Sequence, residues 1–552
     1  MTGRSPWTPK SVLALQSYNL AFFRADLIAG ITVGLVALPL GMAFAIASGL
    51  PPQSGIYCAI VTGFLISALG GSRTQIGGPT GAFVVVISGI IAEFGVQGLF
   101  MCTMMAGVIL IVLGLTKTGS AVKFIPRPVI IGFTNGIAVL IASTQVSEFL
   151  GIQVTENVGE FLDRMAALWR HRDTIAPASV AVGSAALATI LLVNRYLKAV
   201  PGTVVALIGG TGVAWLLGVN VETIGSRFGA IPAGLPEFHF PTFDPSLITK
   251  LISPAMTVAM LGAIESLMSA VVADRMSGDR HNPNVELIAQ GVANVVSPLV
   301  GGLPATGAIA RTATNIRSGA RTPMAGIIHA ITLLVVLLVG ADLAGLVPMS
   351  VLAAILFVVA WNMGEWHELP ALMRHSWTDV AVWAVTFALT VFADLTVAVE
   401  VGMVLAALLF IRRVSRTTTI SRVTGEYVEA GRVHVLQDKP IPPYVAIFRI
   451  HGPFLFGATD KLQRVLDRLD DLPSVIIFRL RNMTTVDATG LKALEDAAIR
   501  LRESGRTAIF CGAPDHPRAA MRKAGFDAVV GVDNIAPNVD AALVRAAQVM
   551  DH

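Results

Sequence analysis

Long apolar stretches, separated by short polar connections, fill most of the chain up to about residue 415, and the rhythm changes after about residue 420. A membrane-spanning helix needs about 20 mostly apolar residues, and fewer where it is broken and buried in protein. Candidate segments lie near 27–47, 54–70, 80–95, 98–115, 128–147, 176–193, 202–218, 252–273, 285–299, 307–317, 323–341, 347–361, 378–393 and 395–412, fourteen in all. Two of them open at glycine-proline breaks. The first reads Gly77-Gly78-Pro79-Thr80-Gly81-Ala82 and the second Gly301-Gly302-Leu303-Pro304-Ala305-Thr306-Gly307-Ala308. The tenth segment, with Arg311, Thr312, Thr314 and Asn315, is too short and too polar to span alone. Broken helices in corresponding places of two halves point to a transport site. The start of each half-helix carries free N–H groups and a partial positive charge, which suit an anion.

Fourteen segments divide into seven and seven. Gly307 lies 226 positions after Gly81, and a nearly equal shift carries Leu40 of the first segment onto Glu265 of the eighth. An odd number of segments per repeat forces the copies into opposite orientations. The pattern therefore predicts an inverted repeat whose broken helices meet near the midplane. The tail has an α/β rhythm, with strands at 445–450, 474–480 and 507–511 and helical periodicity over 459–471 and 488–504. The expected fold is an all-α polytopic membrane domain over 1–415, followed by a small α/β domain over 420–552.

Composition agrees with a chain that lies mostly in lipid. Charged residues are 14% of the total and apolar residues 54%, with a mean hydropathy of +0.70. An ordinary soluble domain has about 25% charged residues. The distribution of charge adds orientation. With the amino terminus inside, the inside loops hold Arg73; Lys117, Lys123 and Arg127; Arg195 and Lys198; Arg275 and Arg280; Arg317 and Arg321; and Arg374. Arg412, Arg413 and Arg416 follow the last segment. The long outside loops mix signs and carry Glu156, Glu160, Asp163, Asp173, Glu222 and Glu237. That asymmetry follows the positive-inside rule and puts both termini in the cytoplasm. The first apolar run reads as a span, not as a removed signal peptide. Cys58, Cys102 and Cys511 are far apart, read as small buried hydrophobes, and form no metal or disulfide pattern. No cofactor and no metal is expected.

Glu265 is the one carboxylate deep in the apolar eighth segment, where a charge costs a few kcal/mol. It reads as a proton-coupling group; the alternative is a structural hydrogen-bonding residue. Arg311 lies one turn into the tenth half-helix and would make a positive pocket beside the two helix starts, or would pair with Glu265 to hold the bundle in register. Thr80, Gly81, Ala82, Ile309 and Ala310 offer backbone N–H groups, and Phe44 either walls the pocket or packs in the core. Asp274, Arg275, Asp279, Arg280 and His281 form a solvated charged loop, and Asn135, Glu148, Asp342 and Asp394 receive no role.

These residues carry a resemblance. Gly34-Leu35-Val36-Ala37-Leu38-Pro39-Leu40-Gly41-Met42-Ala43-Phe44-Ala45, Gly77-Gly78-Pro79-Thr80, Gly262-Ala263-Ile264-Glu265-Ser266-Leu267 and Gly302-Leu303-Pro304 resemble the SulP sulfate-permease family, relatives of the solute-carrier anion exchangers. The tail, with Val486-Asp487-Ala488-Thr489-Gly490-Leu491, is similar to a STAS domain. The resemblance implies a seven-plus-seven inverted repeat. Segments one to four and eight to eleven form a mobile core that moves like an elevator against a gate. Substrate lies between segments one, three, eight and ten, and members are commonly homodimers. Bacterial members of this kind lie in the inner membrane. The stretch from Met260 to Arg311, with Val359-Ala360-Trp361-Asn362-Met363, resembles the C4-dicarboxylate uptake members. Sodium-coupled bicarbonate members tend to have Asp in place of Glu265 and Thr near Ile309, and loss of a hard oxygen ligand disfavours sodium.

The expected function is proton-coupled uptake of an anion, a C4-dicarboxylate such as fumarate or succinate, with sulfate or bicarbonate as the alternative substrate. An anion channel and a sensor signalling through the tail are the competing classes. No nucleophile–base set appears, so an enzyme is not expected. The partners are the anion, the proton, the lipid bilayer, a second copy of the chain and cytoplasmic partners of the tail; nucleic acid is not among them. Thr489 occupies the place of the phosphorylated serine of soluble STAS proteins and is a possible regulatory site, or else caps the helix that starts nearby.

Overall fold

The computed structural model describes residues 7–118, 126–154, 161–197, 201–230, 244–393, 395–422, 441–467 and 472–551, with scattered positions in 231–243. Lys123, Glu156, Glu160, Lys198, Asp394 and the end of the 459–471 helix lie outside these residues, as do the side chains of Arg413 and Arg416. Two compact units emerge, Met1–Val404 and Leu405–His552. The division falls inside the last apolar helix, whose Leu408 and Phe410 are exposed.

The first unit runs through α1 (Leu20–Ala47), α2 (Pro52–Leu69), β1 (Gly77–Gly78), α3 (Ala82–Leu115), α4 (Arg127–Leu150), α5 (Phe161–Arg170), α6 (Pro177–Tyr196), α7 (Gly202–Leu216) and α8 (Ile224–Phe228). It continues through α9 (Pro245–Ser277), α10 (Pro283–Val296), β2 (Thr306–Gly307), α11 (Ile309–Arg317), α12 (Met324–Gly345), α13 (Met349–Met363), α14 (Trp377–Phe392) and α15 (Leu395–Thr417). Every expected segment has a helix. Segments three and four are two helices that meet at Gly95, whose φ of 69° and ψ of −179° break the helix inside α3. Among the described residues, eight helices are long and apolar enough to cross a membrane. Leu216 and Val339 are 74% and 84% exposed, which in a water-soluble protein would be costly and here marks a lipid-facing surface.

The two halves repeat the same packing. Helix α1 lies on α12 as α9 lies on α3, and α2 lies on α12 as α10 lies on α3. Helices α3 and α10 approach closely because Gly107 and Gly291 face each other; a Cβ on either would meet the other's carbonyl oxygen. Between the halves, β1 and β2 pair antiparallel, Gly77 with Gly307 and Gly78 with Thr306. Two fully buried carboxylates pin the neighbouring connections. Asp26 accepts from the N–H of Arg321 (2.7 Å) and Thr322 (3.1 Å) and from the Thr322 hydroxyl (2.6 Å). Glu286 accepts from the N–H of Gly71 (2.9 Å) and Ser72 (3.1 Å) and from Gln290 Nε2 (2.9 Å). Irregular backbone inside a membrane protein must be satisfied in this way.

The second unit is a five-stranded sheet of β3 (Thr419–Arg422), β4 (Val445–Phe454), β5 (Val475–Val486), β6 (Thr507–Cys511) and β7 (Ile535–Ala536), in that order. Strand β3 is antiparallel to β4 and the other pairs are parallel. Helices α16 (Thr459–Leu466), α17 (Ala488–Glu503), α18 (Asp515–Lys523), α19 (Phe526–Val530) and α20 (Val539–Met550) complete it. Alternating side chains build two cores, since successive strand residues face opposite sides. Phe448, Phe478 and Phe510 lie in register on one face. Val445, Ile477 and Ile509 meet α20 on the other. All three cysteines are buried, and burial pushes the Cys511 thiol up to about 12.

Candidate functional site

The two breaks are held open by side chains. Ser266 Oγ accepts the N–H of Gly307 (3.1 Å) and contacts Thr306 Oγ1 (2.7 Å), while Gln75 Nε2 donates to the Ser266 carbonyl (3.0 Å). Asn294 bonds both backbone groups of Ala305 at 2.8 Å. Thr312 Oγ1 accepts from Ile76 N (3.0 Å), and Asn315 Nδ2 donates to the Thr74 carbonyl (2.8 Å). These bonds join the starts of α3 and α11 across the pair β1–β2.

A cavity of about 400 Å3 opens at those starts. Phe44, Thr80, Gly81, Glu265, Ile309, Ala310 and Arg311 all line it. Ala82 is buried one residue behind, as the first residue of α3. Among the described residues, the N–H groups of Gly81, Ile309 and Ala310 have no hydrogen-bond partner, as at any uncapped helix start. Gly81 has Phe44 and Ile141 against it, so Phe44 both packs and forms a wall. The Thr80 hydroxyl donates to Glu265 Oε2 at 2.9 Å. Arg311, 3% exposed, donates through Nη2 to the Pro79 carbonyl. A Cβ on Gly78, whose φ is +147°, would fall on that guanidinium.

Of the two readings of Arg311, the ion pair with Glu265 does not form. No ion pair within 4 Å joins the two among the described residues, because a backbone carbonyl takes the guanidinium and a hydroxyl takes the carboxylate. Sequence reasoning missed the Thr80 side chain, since only its backbone was considered. It also missed the facing wall of Val129, Ile130, Phe133, Thr134, Val359 and Met363. Apolar span residues carry no mark that separates a cavity wall from a lipid face. Glu365 and His367 line the same cavity and had no signal beyond their charge.

In the tail, Asp487 caps α17, not Thr489. Its Oδ1 accepts from Gly490 N at 2.7 Å and its Oδ2 from Phe456 N at 3.1 Å. An aspartate directly before the first helical residue has the geometry for the cap, whereas Thr489 is already inside the helix and exposed.

Comparison with known proteins settles what the chain is related to. Residues 23–386 match the model of the sulfate permease family. The chain belongs to the sulfate permease family. Residues 437–542 match a STAS domain. The chain is 41% identical over 518 residues to a putative sulfate transporter of Bacillus subtilis (strain 168), covering 94% of this chain and 96% of that protein. It is 32% identical over 524 residues to a bicarbonate transporter of Picosynechococcus, covering 91% and 90%. Its fold superposes on the solved structure of SLC26A9 with a TM-score of 0.87 at 18% identity, over 98% of this chain and 92% of that one. The transmembrane domain of a cyanobacterial bicarbonate transporter gives 0.62 at 33% identity, over 70% and 98%. The chain is thus an anion transporter of this family, a multi-pass membrane protein with a STAS tail, and its relatives are named as transporters.

Proposed function

We propose that this member of the sulfate permease family carries C4-dicarboxylates such as fumarate or succinate inward together with protons. The observation that carries the reading is the composition of the cavity. One edge holds two helix starts, Arg311 and the Glu265–Thr80 pair, and the rest is apolar, with Leu40, Phe44, Phe133, Ile264 and Met363. The polar edge suits a carboxylate. The apolar wall suits a carbon frame, which sulfate lacks. Asn362 and His367 lie on the same lining and would take the second carboxylate. Glu265, within the site, serves as the proton carrier. Sulfate or bicarbonate is the second reading, favoured by the names of the relatives. The core helices are taken to move elevator-fashion against α4, α13 and α14, within a homodimer. The charge asymmetry supports cytoplasmic termini in a bacterial inner membrane.

The test is uptake by proteoliposomes at two pH values, with labelled fumarate, sulfate and bicarbonate side by side. Fumarate should accumulate when the proton gradient points inward. If sulfate or bicarbonate accumulates and fumarate does not, the dicarboxylate reading is wrong.

A further inference from the structure

The charges on the cavity lining have the wrong balance for an anion. Among the described residues the lining holds one guanidinium, Arg311, and two carboxylates, Glu265 and Glu365. With both carboxylates ionised, the side chains are negative on balance. The two helix starts return about half a positive charge each. Glu265 accepts a hydrogen bond from the Thr80 hydroxyl. Glu365 is different. It is half-buried, and among the described residues its carboxylate has no hydrogen bond and no cation within 4 Å.

The connection after α13 holds Glu365 in that place. Gly364 N donates to the Ala360 carbonyl (3.1 Å), and Glu368 N donates to the Glu365 carbonyl (3.0 Å). The Trp366 indole lies against Gly364, where a Cβ would come within 2.4 Å of it, and Trp366 Nε1 donates to the Trp361 carbonyl (3.0 Å). Arg127, at the start of α4, donates to Glu368 Oε1 (2.5 Å), and His367 Nε2 lies 3.6 Å from the same oxygen. The neighbouring cation is thus committed to Glu368, and the Glu365 carboxylate is left to the cavity. The His367 side chain, 79% exposed, places this end of the lining at the surface.

A carboxyl group in this position acts in two opposite ways. Ionised, it repels an arriving anion, and a second negative charge on that anion strengthens the repulsion. Protonated, it donates an O–H to the second carboxylate, beside Asn362 and His367. We infer that Glu365 is a specificity-determining residue that admits a dianion when it carries a proton and disfavours it when ionised. The inference rests on the anion-transport reading above, but not on which dianion is carried. The charged groups around Glu365 are Arg127 of α4, His367 and Glu368 beside it, and Glu265 of α9 and Arg311 of α11 on the same lining. Affinity for a dianion is therefore highest at low pH and falls as Glu365 loses its proton. Glu365 follows α13, against which the core helices are taken to move, so it returns its proton to the side that supplied it. It sets affinity and leaves the accumulation ratio to Glu265.

The experiment is calorimetric binding to the purified full chain from about pH 5 to about pH 8. The probes are fumarate, sulfate and crotonate, which is fumarate with a methyl group in place of one carboxylate. Glu365→Gln keeps the shape and a donor and removes the charge. Fumarate should bind the variant about tenfold tighter than the parent at high pH, and about equally at low pH. Crotonate, with a single charge, should gain about threefold or less. Glu365→Asp keeps the charge and should keep the parental pH profile, which a merely structural role would not produce. If Glu365→Gln fails to fold, Glu365→Ser also removes the charge and should give the same gain at high pH. Fumarate affinity that is unchanged or weaker at high pH in the uncharged variant would overturn the assignment, and so would an equal gain for crotonate. If sulfate binds and fumarate does not, a tenfold gain for sulfate supports Glu365 and counts only against the dicarboxylate reading. No gain for sulfate in that case would overturn both.

Discussion

Replacing Glu265 by Gln separates the proton from the rest of the site. The carboxylate makes one hydrogen bond, from the Thr80 hydroxyl at 2.9 Å, and a glutamine carbonyl of the same shape accepts it equally well. Exchanging one acceptor for another costs about 1 kcal/mol or less. Helix α9 and the cavity should therefore remain as they are. What disappears is the group that can bind a proton. If one proton drives each transport cycle, a gradient of one pH unit supplies about 1.4 kcal/mol, or roughly tenfold accumulation. In proteoliposomes with such a gradient, the parent protein should concentrate labelled fumarate about tenfold. Glu265→Gln should bring the ratio to about one, while exchange of internal for external fumarate continues. Proton-driven accumulation that survives in Glu265→Gln would refute the reasoning and remove Glu265 from the coupling.

Three further outcomes are expected. Arg311→Ala removes the buried guanidinium at the helix starts, and calorimetric anion affinity should fall by about 10- to 100-fold, from the loss of a charged hydrogen bond of about 1.5–3 kcal/mol; wild-type affinity would take Arg311 out of the pocket. Gly78→Ala places a Cβ on the Arg311 guanidinium at φ +147°, a strain of about 1–3 kcal/mol, so the thermal midpoint in detergent should fall along with anion affinity. An unchanged midpoint would show that the crossing can relax. Asp487→Ala removes the cap of α17, worth about 1 kcal/mol, and amide exchange at Gly490 should rise about fivefold in the full chain with transport retained; unchanged exchange would mean that the first turn is held by other contacts.

Much of the membrane unit was legible because its signals are physical and local. Runs of apolar residues must become helices in lipid, and Gly77-Gly78-Pro79 and Gly302-Leu303-Pro304 interrupt them where Pro lacks an N–H. Phe44, Glu265 and Arg311 stood out for the same kind of reason, and the cavity brings them together. The pairing of β1 with β2 left no trace in the sequence, since two-residue strands have no period to read. The boundary read between the segments at 80–95 and 98–115 falls at Gly95, where φ is 69° and the helix breaks. Asp26 and Glu286 looked like ordinary residues near segment ends, although each is fully buried and holds a connection by its backbone N–H groups. In the tail, Asp487 and Thr489 both belong to the residue types that cap helices, and only the backbone geometry distinguishes them.

The central claim is that an anion binds where the two half-helices begin. The most direct measurement is an experimental structure of the full chain with fumarate at saturating concentration. The account predicts density in the cavity between Phe44, Gly81, Ile309 and Ala310, with one carboxylate within hydrogen-bond reach of those N–H groups and of Arg311. Fumarate bound elsewhere, with this cavity empty, would contradict it.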